Sequence, residues 1–168
     1  PDHIPLPEAL RTQSELLALV PDVPEPIRRY WGRERPLDVK PSMPEHYLGN
    51  TKLPPFQNVW LRTTGAVPSD RAMGSAILAS LSDMTVLDTS TFPHGRAIFD
   101  QSIQAASLDH AMWFHREDPL DDWLLYAQDS PSASNSRGFT RGAIYARNGT
   151  LIASVAQEGL IRLRKPAK

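Results

Sequence analysis

The placement of proline constrains this chain more than any other feature. Eleven of the 16 prolines lie in the first 55 residues. Proline removes a backbone donor and fixes φ, so that segment cannot supply the interior of a sheet. Residues 1–58 therefore read as a proline-rich connecting segment, and residues 59–168 as a folded domain. Within the first, Leu10, Leu16, Leu17 and Val20 give a partial apolar stripe that predicts a short helix over 8–20, ended by Pro21. The run Pro36-Leu37-Asp38-Val39-Lys40-Pro41 alternates as a short edge strand would.

From Val59 the pattern changes. Residues 59–64 read as a strand. Ser69 or Asp70 offers an N-cap for a helix running to about Met84 or Leu87. Ala72, Ala76, Ala79 and Asp83 fall on one face of it, and Met73, Ile77, Leu81 and Met84 form a second apolar stripe. That pattern predicts a buried helix packed closely on a sheet. Strands follow over about 102–115, 122–130, 138–147 and 151–163, with Asn148-Gly149 as a type I′ hairpin signal. One strand, one helix and four mostly antiparallel strands give an α+β fold in which a sheet curls around a single helix.

Several classes of function drop out. A net charge of −1 gives no electrostatic case for nucleic acid. With no cysteine there is no disulfide scaffold, thiolate metal site or cysteine nucleophile. No apolar run approaches the roughly 20 residues that span a bilayer. Signal-peptide character is absent from the start, the first residue is not Met, and the final Pro-Ala-Lys is no peroxisomal address. The expectation is a cytoplasmic protein, present here as a fragment or processed product. Gly-x-Ser-x-Gly and phosphate-binding glycine loops are missing.

Three polar residues stand out to different degrees. On the last strand Leu151, Ala153, Val155, Gln157, Gly159, Ile161 and Leu163 share one face, and Gln157 alone is polar. An unpartnered amide there would cost roughly 1–3 kcal/mol, so Gln157 needs partners. Asp83 lies near the helix C-terminus, where the macrodipole disfavours a carboxylate. It is either a solvated cap or a buried carboxylate held for base chemistry. Ser107 shares its strand face with Asp109, Ala111 and Trp113, opposite Ala106, Leu108, Met112 and Phe114. Pattern alone does not separate it from Ser102, Ser130 or Ser154. His110 and His115, five apart, fall on opposite faces of a strand, which speaks against a metal site. Alternation also keeps Asp109 from orienting His110 toward Ser107 in a Ser-His-Asp arrangement.

The stretch 106–115, Ala-Ser-Leu-Asp-His-Ala-Met-Trp-Phe-His, resembles the signature region of bacterial type II acyl-CoA thioesterases. So do Asp122-Trp123-Leu124-Leu125-Tyr126, Arg137-Gly138-Phe139-Thr140-Arg141-Gly142 and Ala153-Ser154-Val155-Ala156-Gln157-Glu158-Gly159. The resemblance implies a hotdog fold: an antiparallel sheet wrapped around one long helix. It also implies a parent with two such domains joined by a proline-rich linker, of which this chain is the linker and the C-terminal domain. The family's catalytic Asp, Thr and Gln fall on Asp83, Ser107 and Gln157. Serine at 107 keeps the hydroxyl and loses a methyl that would restrict its rotamer.

Hydrolysis of acyl-CoA to fatty acid and CoA follows as the implied activity, without cofactor or metal. Asp83 would serve as base, with direct attack by Asp83 to form an anhydride as the other route. Ser107 and Gln157 would hold the water, and a backbone N–H near the helix end would serve the oxyanion. The acyl chain would lie along the helix and the apolar sheet face. Arg137, Arg141 and Arg162 are candidates for the CoA phosphates because they flank the motif strands. Expected partners are acyl-CoA, the N-terminal hotdog domain and further copies of the protein. The competing expectation is a non-catalytic acyl-binding or assembly half that needs that N-terminal domain. A hotdog hydratase is disfavoured because its motif is absent.

Overall fold

The computed structural model describes residues 3–20, 23, 25, 28–29, 32–48, 51–96 and 100–164. Pro21 and the C-terminal Pro-Ala-Lys, both used above, lie outside them. Seven strands form one antiparallel sheet: β1 (Leu37–Pro41), β2 (Phe56–Thr63), β3 (Ile103–Ser107), β4 (Ala111–Phe114), β5 (Leu124–Ser134), β6 (Arg137–Ala146) and β7 (Leu151–Leu163). Their order is β1-β2-β5-β6-β7-β3, with β4 also beside β7. The strand between Pro36 and Pro41 is thus at the sheet edge, where proline is tolerated.

The helix predicted over 8–20 is shorter than expected. Thr12 and Glu15 form a capping box, Thr12 N–H to Glu15 Oε2 at 2.6 Å and Glu15 N–H to Thr12 Oγ1 at 3.3 Å. This box starts α1 only at Gln13–Leu17, after a 3-10 turn at Pro7–Ala9. The preceding residues lie along the back of the sheet. Ile4, Leu10 and Tyr145 pack on Trp60, Trp123 and Leu125, while Trp60 Nε1 donates to the Pro5 carbonyl at 2.9 Å. Lys40 and Arg62 flank the Trp123 ring at 5.0 and 4.4 Å.

A short helix α2 (Glu45–Leu48) precedes β2, and the long helix is α3 (Arg71–Ser82). Asp70 is its N-cap, accepting from Met73 N–H at 2.8 Å. Only Leu78, Leu81 and Ser82 of α3 are buried, so the expectation of a helix buried around most of its girth is corrected. Ala72, Met73 and Ala76 are exposed and Ala79 is half-buried, so the alanine face nears the sheet only toward the C-terminal end of the helix. Leu78, Leu81 and Val86 meet Val59, Leu61, Tyr126, Ile144 and Val155 in the main core. Each such aliphatic side chain contributes about 1.5–3 kcal/mol by leaving water.

The α-helix ends at Ser82, earlier than predicted, and the chain tightens into a 3-10 helix, Val86–Ser90, against β5 and β6. Its polar side chains are buried by local pairing. Thr89, Ser90 and Thr91 hydroxyls donate to the carbonyls of Val86, Leu87 and Asp88 at 2.7–2.8 Å. Close approach to the sheet needs glycine opposite: a Cβ at Gly159 would lie 2.4 Å from Leu87 Cδ1, and one at Gly138 2.5 Å from Ser90 Cβ.

Two turns exchange roles. Only Gly149 of Asn148-Gly149 has positive φ, at 88°, so this is not the type I′ turn predicted. Instead Gly149 N–H bonds back to the Ala146 carbonyl, and Asn148 Oδ1 accepts from Thr150 N–H. The hairpin between β5 and β6 has positive φ at both Asn135 and Ser136, 50° and 62°. Among the described residues, no helix is long and apolar enough to cross a membrane.

Candidate active site

The strand predicted over 102–115 is interrupted at its most informative point. Ser107 pairs with Gly159 and Ala111 with Ala156. Leu108, Asp109 and His110 therefore lie opposite only Gln157 and Glu158. Glu158 absorbs the extra residue: its carbonyl accepts from Leu108 N–H at 2.9 Å and Asp109 N–H at 3.3 Å, and its N–H donates to Asp109 Oδ1 at 2.7 Å. One inserted residue reverses the facing of everything beyond it. Ser107 consequently shares the helix side with Met112 and Phe114, not with Ala111 and Trp113 as simple alternation predicts.

This bulge turns His110 inward as well. Asp83, the C-cap of α3, reaches the same place from the helix, and Gln157, fully buried, reaches it from β7. The three sequence-selected residues are brought together. Ser107 Oγ donates to Asp83 Oδ1 at 3.4 Å, and Gln157 Nε2 donates to Ser107 Oγ at 2.8 Å. Gln157 thus finds the partners its burial demands.

His110 is the member that sequence reasoning set aside. Its Nδ1 meets Gln157 Oε1, its Nε2 lies 2.8 Å from Ser82 Oγ, and Nδ1 is 3.8 Å from Asp83 Oδ1. Its presence in the signature stretch 106–115 was the available signal, and regular strand alternation hid it. Asp109 does not orient it, being occupied by Glu158. His115 lies on the other side of the sheet, bonded to Ser154 Oγ at 2.9 Å.

Below the site, Tyr126 Oη donates to the Ser82 carbonyl at 2.9 Å and ties the helix end to the sheet. Burial, with a smaller contribution from the Asp83 charge, raises the Tyr126 pKa and keeps the phenol neutral. The backbone N–H groups of Asp83 and Met84 both return to the Leu81 carbonyl, so neither is directed at the site. The Asp83 side chain is 52% exposed and the His110 side chain 22%, which leaves the cluster open on one side.

Arg137, Arg141 and Arg162 do not join this cluster. Gly138 faces the helix side, so Arg137 and Arg141 project from the opposite face of β6. There Arg137 pairs with Glu158, Arg141 forms a two-pronged pair with Asp129, and Arg162 donates to Gln104. No group of three or more metal-ligating side chains occurs among the described residues.

A model of the acyl-CoA thioesterase family matches residues 29–160. The chain is 34% identical to acyl-CoA thioesterase 2 of Haemophilus influenzae over 161 residues, covering 95% of this chain and 56% of that protein. Among solved structures, acyl-CoA thioesterase II TesB2 of Mycobacterium marinum superposes with a TM-score of 0.68 at 36% identity, over 88% of this chain and 57% of that one. A conserved protein with a hotdog fold from Alicyclobacillus acidocaldarius superposes at 0.64 and 17% identity, over 97% and 55%, a likeness of fold alone. This chain spans about half the length of the curated relatives it matches. A sheet wrapped against one helix, an Asp-Ser-Gln cluster at the helix end and a match over most of the sequence lead to one assignment: the chain has a hotdog fold and belongs to the acyl-CoA thioesterase family.

Proposed function

We propose that this chain carries the hydrolytic site of an acyl-CoA thioesterase, converting fatty acyl-CoA and water to fatty acid and CoA. The observation that carries the reading is the convergence of Asp83, Ser107 and Gln157 through hydrogen bonds of 3.4 and 2.8 Å. Asp83 takes a proton from a water held beside Ser107 and Gln157 as the water oxygen bonds to the thioester carbon. The tetrahedral intermediate then collapses, the C–S bond breaks, and the sulfur leaves with the proton returned from Asp83. No group outside the chain is needed for that balance.

The open side of the site supports a partner surface. Met73 on α3 and Phe114 on the helix side of β4 are about half exposed. We infer that a second hotdog domain of the same protein covers this face, joined through the chain that precedes β1. An open groove of about 710 Å³ runs along α3, with Gly74, Leu78 and Phe114 on one side and Arg71, Glu117 and Asp118 on the other, and its apolar side offers room for the acyl chain.

The test is thiol release from a medium-chain acyl-CoA by the full-length enzyme. Asp83→Asn and Gln157→Ala should each lower kcat by roughly 100-fold or more with the fold retained. Wild-type turnover in both variants would sink the reading and leave the alternative of a non-catalytic half.

A further inference from the structure

Both ring nitrogens of His110 are already engaged, so the ring is not available as a second base despite lying 3.8 Å from Asp83. Its role emerges when the hydrogens are followed outward from Asp83. A carboxylate offers only lone pairs, so the Ser107 hydroxyl turns its single proton to Oδ1. The Ser107 oxygen is then an acceptor for its other neighbour and must be met by Gln157 Nε2, 2.8 Å away. That orientation directs Gln157 Oε1 at His110, which can satisfy it only with a hydrogen on Nδ1.

The opposite arrangement is self-defeating. With Nδ1 bare, the amide would turn over to donate to it, and Oε1 would face Ser107. The hydroxyl proton would be drawn away from Asp83, leaving two lone-pair oxygens facing one another at 3.4 Å. The amide nitrogen would also be lost to the water position. Ser82 meets the far side of the ring: with the proton on Nδ1, Nε2 carries a lone pair and takes the single Ser82 hydroxyl proton across 2.8 Å, in place of the Ala79 carbonyl that lies equally close at 2.8 Å. Ser82 is the last residue of α3 and is fully buried, so this contact is shielded from solvent.

We propose that His110, braced by Ser82, is a positioning residue that fixes the Gln157 amide with its nitrogen toward Ser107 and the attacking water. This rests on the hydrolytic reading above. The bulge at Leu108–His110 is the backbone device that makes it possible.

The experiment combines steady-state kinetics of the full-length enzyme with long-range ¹H–¹⁵N NMR of the His110 ring. His110→Ala should lower kcat roughly 10–100-fold, the range seen when a supporting hydrogen bond is removed, with KM changed by less than about twofold. His110→Asn places an amide N–H near the Nδ1 position and should restore most of kcat; His110→Gln places it near Nε2 and should not. The wild-type spectrum should show a proton on Nδ1. Wild-type kcat in His110→Ala, equal rescue by Asn and Gln, or a bare Nδ1 would each overturn the proposal. Asp83→Asn is run alongside. Full turnover there removes the hydrolytic reading, whereas an inactive Asp83→Asn with an active His110→Ala removes only the role of His110. Should His110→Ala fail to fold, the two amide variants and the spectrum still decide.

Discussion

Asp88 and His46 together should give the fold an unusual dependence on pH. Asp88 lies in the buried 3-10 helix that packs on β5 and β6, and burial pushes its carboxyl from 3.8 up to about 8. The folded state therefore holds a proton that the unfolded chain releases above 3.8, and stability falls as pH rises through that interval. Burial also lowers His46 from 6.5 to about 4. There the unfolded chain binds the extra proton, and stability rises with pH from about 4 to 6.5. The two effects have opposite sign and similar slope, about 1.4 kcal/mol per pH unit each. Between pH 4 and 6.5 they cancel, whereas from 6.5 to 8 Asp88 acts alone, and the wild-type protein should lose about 2 kcal/mol. Asp88→Asn should be flat over that upper interval and should gain stability from pH 4 to 6.5, where His46 is no longer opposed. Urea unfolding followed by tryptophan fluorescence, repeated across pH 4–8.5, measures both slopes. A wild-type profile flat above pH 6.5, or the same decline in Asp88→Asn, would refute the reasoning.

Other perturbations probe the support of the site. Tyr126→Phe removes the buried donor to the Ser82 carbonyl and should cost about 1–2 kcal/mol in denaturant unfolding, with kcat reduced through the loosened helix end. Gly142→Ala would set a Cβ 2.2 Å from the Tyr126 ring. It should destabilise by at least as much, read as a lower midpoint of thermal unfolding. Gly74 faces open space within the groove along α3; Gly74→Leu should therefore lower kcat/KM for long-chain acyl-CoA about tenfold relative to short-chain, measured across a chain-length series.

Much of the fold was legible because it follows period and punctuation. The alternation over 151–163 coincides with β7, and the single polar side chain on its inner face does sit among polar partners. The two prolines at 36 and 41 marked a true edge strand, and Asp70 does cap α3. What escaped was set by tertiary packing. Thr85 to Thr91 has the composition of a loop, yet it is buried because its hydroxyls find carbonyls three residues back. The back of the sheet is covered by residues before Thr12, whose carbonyl partners Trp60 and Lys40 no local pattern reveals. The family resemblance, not periodicity, singled out Ser107.

The bulge explains the largest miss and carries its own prediction. Asp109, next to His110 in the chain, bonds none of the site residues; its carboxylate accepts from Glu158 N–H at 2.7 Å. That bond sits where three residues oppose two, the place that sets on which side of the sheet His110 emerges. Asp109→Ala removes an exposed charge-assisted bond, a loss of about 1–2 kcal/mol in folding. If the strand relaxed toward regular pairing, however, His110 would withdraw from Gln157 and kcat should fall by more than that stability loss suggests. Asp109→Asn keeps an oxygen at the same place and should recover most of the activity. A bulge maintained by the backbone alone would instead leave kcat unchanged in Asp109→Ala. That result would move the origin of the His110 placement from this side chain to the two N–H groups of Leu108 and Asp109 that converge on the Glu158 carbonyl.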